Sequence, residues 1–544
     1  MRTGVLDSLE DTNFDLIVVG AGINGAGIAR DAAMRGLSVL LVDRGDVSSG
    51  TTAWSTRLIH GGLRYLEYGE VPLVRESLKE RETLLHVAEH LVRPLHMLVP
   101  IYEGDRRGPR VIRLGLLAYD ALSLDSSMDR HHMLDREAVI GREPGLSREG
   151  LKGAALYYDA QVEFAERLAL ENALDAREQG AVLLTYASVE RFMVESNVVR
   201  GVEILDVLGG RRLSARGEVV INVTGPWVDR VLLGQDRPAE RLIGGTKGSH
   251  LVVEPFPGAP DEALYVEAAK DGRPFFIVPW NGLFLIGTTD RRYEDDLDRV
   301  VAEDDEVAYL IEETNRVVPG AGLTPDGVLY TYAGVRPLPF VPEGKEGGVT
   351  RRHIIRDHTP ELAAGLLSVV GGKITTYRNL SEQAVDAVFG KLGRRSPKCR
   401  TAEVPLPGGA TGPLEGYAST FRRTSGLDAA TAERLVRLYG TRADEVLGVA
   451  EGAPDLRAPV AGEPGTLGAE VVYAFAHEEA QTLTDVLMRR TMIGLGRTAG
   501  VGPDRAAAEI CVHHLGWDED RAAREVDAFR EYVTRYRPRS LVAT

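Results

Sequence analysis

The chain has 544 residues, with 64 basic and 80 acidic side chains and a net charge of −16, which excludes broad nucleic-acid binding because phosphate-backbone recognition needs a net basic surface. Its two cysteines, Cys399 and Cys511, exclude a disulfide framework and a cysteine-ligated iron–sulfur cluster. At about 150 residues per domain the length predicts two to four domains.

The first strong signal is Asp15-Leu16-Ile17-Val18-Val19, a short apolar run of the kind buried in a parallel strand. It leads into Gly20-Ala21-Gly22-Ile23-Asn24-Gly25, a helix-like stretch to Arg35, and a stop at Gly36. A second strand, Ser38 to Val42, ends at Asp43, 18 residues after the third glycine. Strand, glycine turn, helix, strand and acid form a complete dinucleotide-binding unit. Gly20 permits the sharp turn, Gly22 lets backbone amides approach a pyrophosphate, Gly25 lets helix pack on strand, and Asp43 accepts from ribose hydroxyls. The pyrophosphate belongs at the helix N-terminus, where amides and dipole favour an anion.

An amphipathic helix is expected over Phe164–Gln179, with short strands at Val182–Leu184, Val198–Val199 and Val219–Ile221. A mixed region from Leu233 to Glu346 contains strand-like runs at Phe275–Val278 and Leu283–Gly287. After Pro405-Leu406-Pro407-Gly408-Gly409 helical patterns dominate, with Asp428 as N-cap before Ala429–Tyr439 and Gly440 as C-cap. No run of about 18 apolar residues is present, and the first dozen residues lack a signal-peptide pattern. A cytoplasmic protein with at most peripheral membrane contact is expected.

The dinucleotide is read as a flavin. Asp43 is followed by Arg44-Gly45-Asp46 and a small-residue stretch, Ser48 to Arg57, which includes Thr51 and Ser55. Nicotinamide enzymes have no need of such a stretch, whereas a flavoprotein chain must run close along the pyrophosphate toward the isoalloxazine ring. Val219-Val220-Ile221-Asn222-Val223-Thr224-Gly225 and Val369-Val370-Gly371-Gly372-Lys373 supply two further strand-to-turn junctions suited to a flavin.

Ser55-Thr56-Arg57-Leu58-Ile59-His60-Gly61-Gly62-Leu63-Arg64-Tyr65-Leu66-Glu67 resembles the signature of aerobic FAD-dependent glycerol-3-phosphate dehydrogenases. So do Asn222-Val223-Thr224-Gly225-Pro226-Trp227-Val228, Lys247-Gly248-Ser249-His250, Ile286-Gly287-Thr288-Thr289-Asp290, Gly334-Val335-Arg336-Pro337 and Gly371-Gly372-Lys373-Ile374-Thr375-Thr376-Tyr377-Arg378. The helical tail, with His477-Glu478-Glu479-Ala480 and Asp485 to Arg490, is also similar to that family's C-terminal domain.

The resemblance implies an α/β fold: an FAD-binding Rossmann-like domain of the glutathione-reductase and D-amino-acid-oxidase type, an α+β substrate cap, and an all-α C-terminal domain. Expected bounds are 14–78, 154–228 and 347–395 for the FAD-binding domain, 79–153 and 229–346 for the cap, and 400–544 for the helical domain. FAD contacts are expected from Arg44, Thr51, Ser55, Arg57, Gly61, Gly62, Thr224, Gly225, Trp227, Gly371, Gly372, Lys373 and Thr375, in addition to Gly20, Gly22, Gly25 and Asp43.

The implied reaction is oxidation of sn-glycerol 3-phosphate to dihydroxyacetone phosphate, with electrons passed to a quinone. An oxygen-using oxidase and a catalytically silent flavin protein are the alternatives. Arg336 is the first candidate for the phosphate clamp, because its planar fork donates two parallel hydrogen bonds; Arg64 and Lys373 are further cations. His250, then His60, are the candidate bases, and Asp290 is expected to orient a base or a hydroxyl. Peripheral contact with the inner face of the cell membrane through Arg535-Tyr536-Arg537-Pro538-Arg539, and a homodimer, are further expectations.

The chain departs from the family pattern at two places. Arg57 stands where many members have lysine, and Val162-Glu163-Phe164-Ala165-Glu166-Arg167 replaces an Asp-Asp-Ala-Arg run, expected at the rim of the site. His86-Val87-Ala88-Glu89-His90 matches a zinc-peptidase pattern but is read as a solvated helix face, so no metal is expected. Asn222-Val223-Thr224 matches a glycosylation sequon but lies in an apolar strand.

Overall fold

The computed structural model describes residues 2–123, 126–233, 240–342, 349–409 and 412–542. The expected boundary between 346 and 347 lies outside the described residues. Two large sheets organise the chain. The first has eight strands, with the order Ile354–Asp357, Leu366–Val370, Arg212–Asn222, Asn13–Val19, Val39–Val42, Val182–Leu184 along its main path. Its central pairings are parallel, and Leu16, Ile17 and Val18 are fully buried, as a strand covered on both faces requires. Helix Ile23–Met34 packs against helices Ala165–Glu178 and Tyr377–Lys391 over one face. The carboxyl ends of the parallel strands are where such sheets bind ligands.

The second sheet has ten strands. Leu58–Ile59 and Leu151–Val162, of which 58–59 and 154–162 fall within the bounds expected for the FAD-binding part, are strands of this sheet. Leu151–Val162 pairs antiparallel along nearly the whole of Val92–Tyr102. That ladder satisfies its backbone groups, which an isolated extended run could not do. At the far side of the sheet Thr246–Val253 lies between Leu283–Gly287 and Val328–Arg336.

Beyond residue 413 the described chain is helical. Asp428 accepts from the amides of Ala430 and Thr431 at 3.1 Å, capping helix Ala429–Tyr439. Buried ion pairs join this part to the nucleotide-binding sheet. Asp46 meets Arg489 at 2.6 Å and Arg490 at 2.8 Å, and Arg167 meets Glu478 at 2.7 Å. The segment Arg535–Arg539 is docked rather than offered as a patch. Tyr536 is 2% exposed, Arg537 pairs with Asp304, and Arg539 donates to the Asp326 carbonyl.

Helix Val71–Val87 ends before the second histidine of the zinc-like pattern. His90 is not solvated: it is 1% exposed and its Nε2 lies 2.9 Å from Glu171.

Candidate active site

The two sheets enclose a cavity of about 1030 Å³, at the upper end of the roughly 300–1,000 Å³ of small-molecule sites. One end is the dinucleotide turn. Gly20 has φ +108°, and a Cβ there would lie 2.8 Å from the Val223 carbonyl oxygen. A Cβ on Gly25 would overlap the Gly20 carbonyl oxygen, so this glycine seats the helix on the strand and does not line the cavity. Asp43 accepts from the amides of Ala21 (2.6 Å) and Gly45 (2.8 Å), and its remaining lone pairs are available to ribose hydroxyls.

The cavity walls fit FAD. Gly371 and Gly372 bring backbone to the wall opposite the helix start, where a Cβ on Gly372 would lie 2.6 Å from Asn24 Nδ2. Asn24 Oδ1 is buried without a partner. Thr51 donates to the Val335 carbonyl at 2.8 Å and the Tyr332 hydroxyl donates to the Ser55 carbonyl at 2.9 Å, so the small-residue stretch is tied to the second sheet. Thr224, Gly225 and Trp227 line the same wall, as do Gly62 and Thr375.

Arg44 and Trp227 meet at a common acceptor that the sequence did not single out. Asp298 accepts from Trp227 Nε1 at 3.0 Å, Arg230 at 2.7 Å and Arg44, while Arg44 stacks 4.7 Å from the Trp227 ring. All of these line the cavity. The two arginines hold the Asp298 carboxyl down to about 2 against the opposing effect of burial. Asp298→Ala is expected to speed FAD release about fivefold, from roughly 1 kcal/mol of partly exposed ionic contacts, read from the appearance of free flavin fluorescence.

The other end of the cavity follows from strand register. Thr246 opposes Arg336, Gly248 opposes Gly334, and His250 opposes Tyr332. With a period of two, all six share one face. Arg336 and His250 therefore stand roughly 13 Å apart along the ladder at about 3.3 Å per residue, separated by a pair of glycines. A Cβ on Gly248 would lie 2.8 Å from Arg336 Cζ. The Arg336 guanidinium lies over Gly248 and Trp54 packs against Gly334, so the missing side chains make room for both.

Arg336 donates to Asp290 at 3.1 Å, to Thr288 Oγ1 at 3.2 Å and to the Thr289 carbonyl at 3.3 Å. Arg351, absent from the sequence reading, reaches the other Asp290 oxygen at 3.4 Å. Asp290 thus holds two arginines. Burial pushes its pKa up, but Arg336 and Arg351 outweigh that and hold it ionised below the ordinary carboxylate range.

Lys373 donates to Ser77 Oγ at 2.7 Å and sits 4.6 Å from the centre of the Tyr65 ring. Burial pushes the Tyr65 phenol up, yet Lys373, Arg351, Arg64 and Arg336 together bring it below its ordinary value. Four cations therefore converge on Tyr65 with Asp290 between two of them. Arg64 makes no hydrogen bond or ion pair among the described residues. Tyr65 stood inside the Leu63-Arg64-Tyr65 run and could have been found there. Arg351 carried no motif.

His250 Nε2 lies 2.9 Å from Thr56 Oγ1, its ring stacks on Tyr332 at 4.7 Å, and Nδ1 has no partner. Burial, then Arg336 and Arg57, keep it well below its ordinary value. His60, half-buried on the cavity wall, is lowered to about 3 by burial and then by Lys373, Arg64 and Arg81. Both are neutral when folded, whereas the unfolded chain protonates them below about 6.5. The unfolded state then binds more protons, so stability falls as pH drops from about 6.5 toward 3. Each contributes up to about 1.4 kcal/mol per pH unit. The thermal midpoint should fall between pH 7 and 5, and by less in His60→Gln.

Two expected FAD contacts lie elsewhere. Gly61 is buried against Tyr119, whose hydroxyl is 2.9 Å from its amide. Arg57 is fully buried and forms a two-pronged pair with Glu166 at 2.6 and 2.7 Å, with Trp280 stacked 4.7 Å away. The two departures from the family pattern are thus partners in one ion pair. The 162–167 segment is not at the rim: Glu166 is 1% exposed and Arg167 fully buried. The sequon asparagine, Asn222, is also buried and donates to the Val228 carbonyl.

A dinucleotide turn joined through a second sheet to a cationic pocket is the arrangement of an FAD-dependent oxidoreductase. The sequence profile of the FAD dependent oxidoreductase family matches residues 15–377, and that of the C-terminal domain of alpha-glycerophosphate oxidase matches 399–522. A glycerol-3-phosphate dehydrogenase of Synechocystis sp. is 46% identical over 96% of this chain and 97% of its own length. An aerobic glycerol-3-phosphate dehydrogenase of Staphylococcus epidermidis is 33% identical over 90% and 88%. The crystal structure of the Bacillus halodurans glycerol-3-phosphate dehydrogenase complexed with FAD superposes with a TM-score of 0.81 at 29% identity, covering 98% of this chain and 97% of that one. The chain belongs to the FAD-dependent oxidoreductase family, in its glycerol-3-phosphate dehydrogenase branch.

Proposed function

We propose that this protein oxidises sn-glycerol 3-phosphate to dihydroxyacetone phosphate and passes the electrons to a quinone. The observation that carries the substrate is the convergence of Arg64, Arg336, Arg351 and Lys373 around Tyr65 with Asp290 as the local carboxylate. Such a pocket repels a cationic amine and attracts a phosphate dianion. Arg336 and Arg351, held by Asp290, present guanidinium forks to the phosphate oxygens, and Lys373 and Arg64 add charge.

Bound FAD supplies the hydride acceptor for the secondary carbinol carbon. The hydroxyl proton goes to an imidazole, and His250 is the better placed of the two. Its Nε2 is anchored to Thr56 and its Nδ1 is unpartnered, so with Nε2 protonated Nδ1 offers a free lone pair. Burial is the main cause of its lowered basicity and Arg336 adds to it; a bound phosphate dianion offsets the Arg336 part.

A quinone is dissolved in the bilayer, so the protein must reach a membrane surface. No helix among the described residues is long and apolar enough to cross one. The test is anaerobic titration of the yellow holoprotein with glycerol 3-phosphate, expected to bleach one flavin per chain, followed by reoxidation with quinone. Reoxidation by oxygen at a comparable rate would make it an oxidase. Absence of bleaching would overturn the substrate.

A further inference from the structure

The basic segment near the end of the chain is folded against the cofactor cavity. Helix Glu519–Val533 runs into a 3₁₀ turn, Thr534–Tyr536, and Tyr532, Arg535 and Tyr536 all line the cavity. Tyr536 fixes the position of the turn. Its buried ring lies 5.3 Å from that of Trp54, its carbonyl accepts from the Thr331 hydroxyl at 3.2 Å, and its own hydroxyl lies 3.3 Å from that of Tyr532. Beyond it, Arg537 meets Asp304 and the Ser540 hydroxyl donates to the Thr498 carbonyl at 2.9 Å. The turn is held on both sides of Arg535.

Arg535 differs from the other cations of the cavity wall. Arg44 and Arg230 are taken by Asp298, Arg336 and Arg351 by Asp290, Arg273 donates to the Asp290 carbonyl, and Lys373 donates to Ser77. Arg64 stands beside Tyr65 at the substrate end. Arg535 lies over the Tyr532 ring, 4.4 Å from its centre, and its side chain makes no hydrogen bond or ion pair among the described residues. The acids near it are accounted for. Glu531, one turn earlier, is exposed and forms no ion pair with it. On the cavity wall, Asp290 and Asp298 hold other arginines, and Asp43 accepts from the amides of Ala21 and Gly45. Glu190 is exposed on strand Ala187–Glu195, whose first amide bonds the Asp43 carbonyl, at the adenosine end. A half-buried guanidinium thus borders the cofactor space without a counter-charge from the protein.

The loop that Tyr532 and Tyr536 flank runs beside the dinucleotide turn. Tyr532 shares a smaller cleft with Gly45 and Ser49, and Tyr536 packs on Trp54. Between those contacts Thr52 Oγ1 accepts from the Ile23 amide at 3.1 Å, at the first residue of helix Ile23–Met34. That helix start is where a dinucleotide places its phosphates. We infer that Arg535 is a cofactor-binding residue: the C-terminal turn closes the cavity beside this loop and presents a guanidinium to the pyrophosphate of FAD. The pyrophosphate is the anionic part of the cofactor, and the remaining cations are either engaged or gathered at the substrate end, so the charge of Arg535 has its partner there. The helical domain then helps to retain the cofactor bound by the first sheet. This assignment needs FAD alone and is independent of the substrate and the electron acceptor.

Release of FAD from the holoprotein, followed as free flavin fluorescence after dilution, tests it across a charge series. Arg535→Gln should release FAD about tenfold faster than wild type, the loss of one hydrogen bond to a charged group. Arg535→Glu should be faster still, and Arg535→Lys should fall between wild type and Arg535→Gln, since it keeps the charge without the fork. The thermal midpoint of the apoprotein should be the same in all four, because the side chain makes no bond to the protein. Coupling between cofactor and turn is reciprocal. FAD should therefore slow tryptic cleavage after Arg537, and in Arg535→Gln that protection should shrink by about the factor lost in FAD affinity. Release from Arg535→Gln within about twofold of wild type would overturn the contact. Arg535→Lys as fast as Arg535→Gln, or Arg535→Glu no faster than Arg535→Gln, would overturn the role of its charge. Protection at Arg537 that is the same in wild type and Arg535→Gln would sink the link between the turn and the cofactor.

Discussion

Arg336→Ala is expected to lower kcat/KM for glycerol 3-phosphate by at least about a hundredfold while FAD stays bound. The guanidinium sits at the end of strand Val328–Arg336, at the opposite end of the cavity from the dinucleotide turn. The cofactor phosphates are therefore held by other groups. Two hydrogen bonds to a charged phosphate, at about 1.5–3 kcal/mol each, total about 3–6 kcal/mol, and each 1.4 kcal/mol is tenfold. The deletion also frees one oxygen of Asp290, leaving Arg351 as its arginine partner and adding an imperfectly compensated negative charge to an anion site. Arg336→Lys should recover only part of the loss, since an ammonium cannot reproduce the fork. Glycerol, without the phosphate, should be a poor substrate and almost indifferent to the substitution. Steady-state kinetics with both alcohols, alongside the flavin absorbance of each variant, decide it: survival of kcat/KM within about threefold would remove Arg336 from the phosphate site.

The second large effect is on stability. Glu166→Ala should destabilise the protein by about 3–5 kcal/mol, because it leaves the Arg57 guanidinium buried without its counter-charge. Arg57 keeps only carbonyl acceptors, Ala53 at 3.1 Å and Glu163 at 3.3 Å, and its stacking on Trp280. Replacing both partners, Arg57→Met/Glu166→Leu, should recover most of the loss, since well-packed apolar groups can substitute for a buried pair. The measurement is a double-mutant cycle on the unfolding of the holoprotein. A single Glu166→Ala cost below about 1 kcal/mol would show that the pair is not carrying the contact between the Ser48–Arg57 run and helix Ala165–Glu178. Arg57 does not line the cavity, so flavin affinity should change through stability rather than through a lost cofactor contact.

The dinucleotide unit was legible because its parts are contiguous: a buried run, a turn that only glycine can make, a helix and a second strand, all between Asn13 and Asp43. The helix caps at Asp428 and Gly440 were legible for the same reason, each being satisfied within a few residues. Motif order identified His250, Arg336 and Lys373 as candidates. Only tertiary packing decided what each of them meets. The register of the second sheet puts Arg336 and His250 on one face and pairs Leu151–Val162 with Val92–Tyr102, while the loop before the first-sheet strand Ile354–Asp357 brings Arg351 to Asp290 from 61 residues away.

The same holds for charges. Sequence could count the histidines and arginines, but partners such as Arg57–Glu166, 109 residues apart, and His90–Glu171, 81 apart, exist only once distant elements have packed. Local backbone geometry and hydrophobic period are properties of short segments, so the sequence alone determined the nucleotide turn, the helices and the residue types available for chemistry. Which of those residues became a phosphate pocket, which a buried structural pair and which a wall of the cofactor cavity was decided by tertiary packing. Desolvation and Coulomb interaction depend on neighbours in space, and a chain brings those together only by folding.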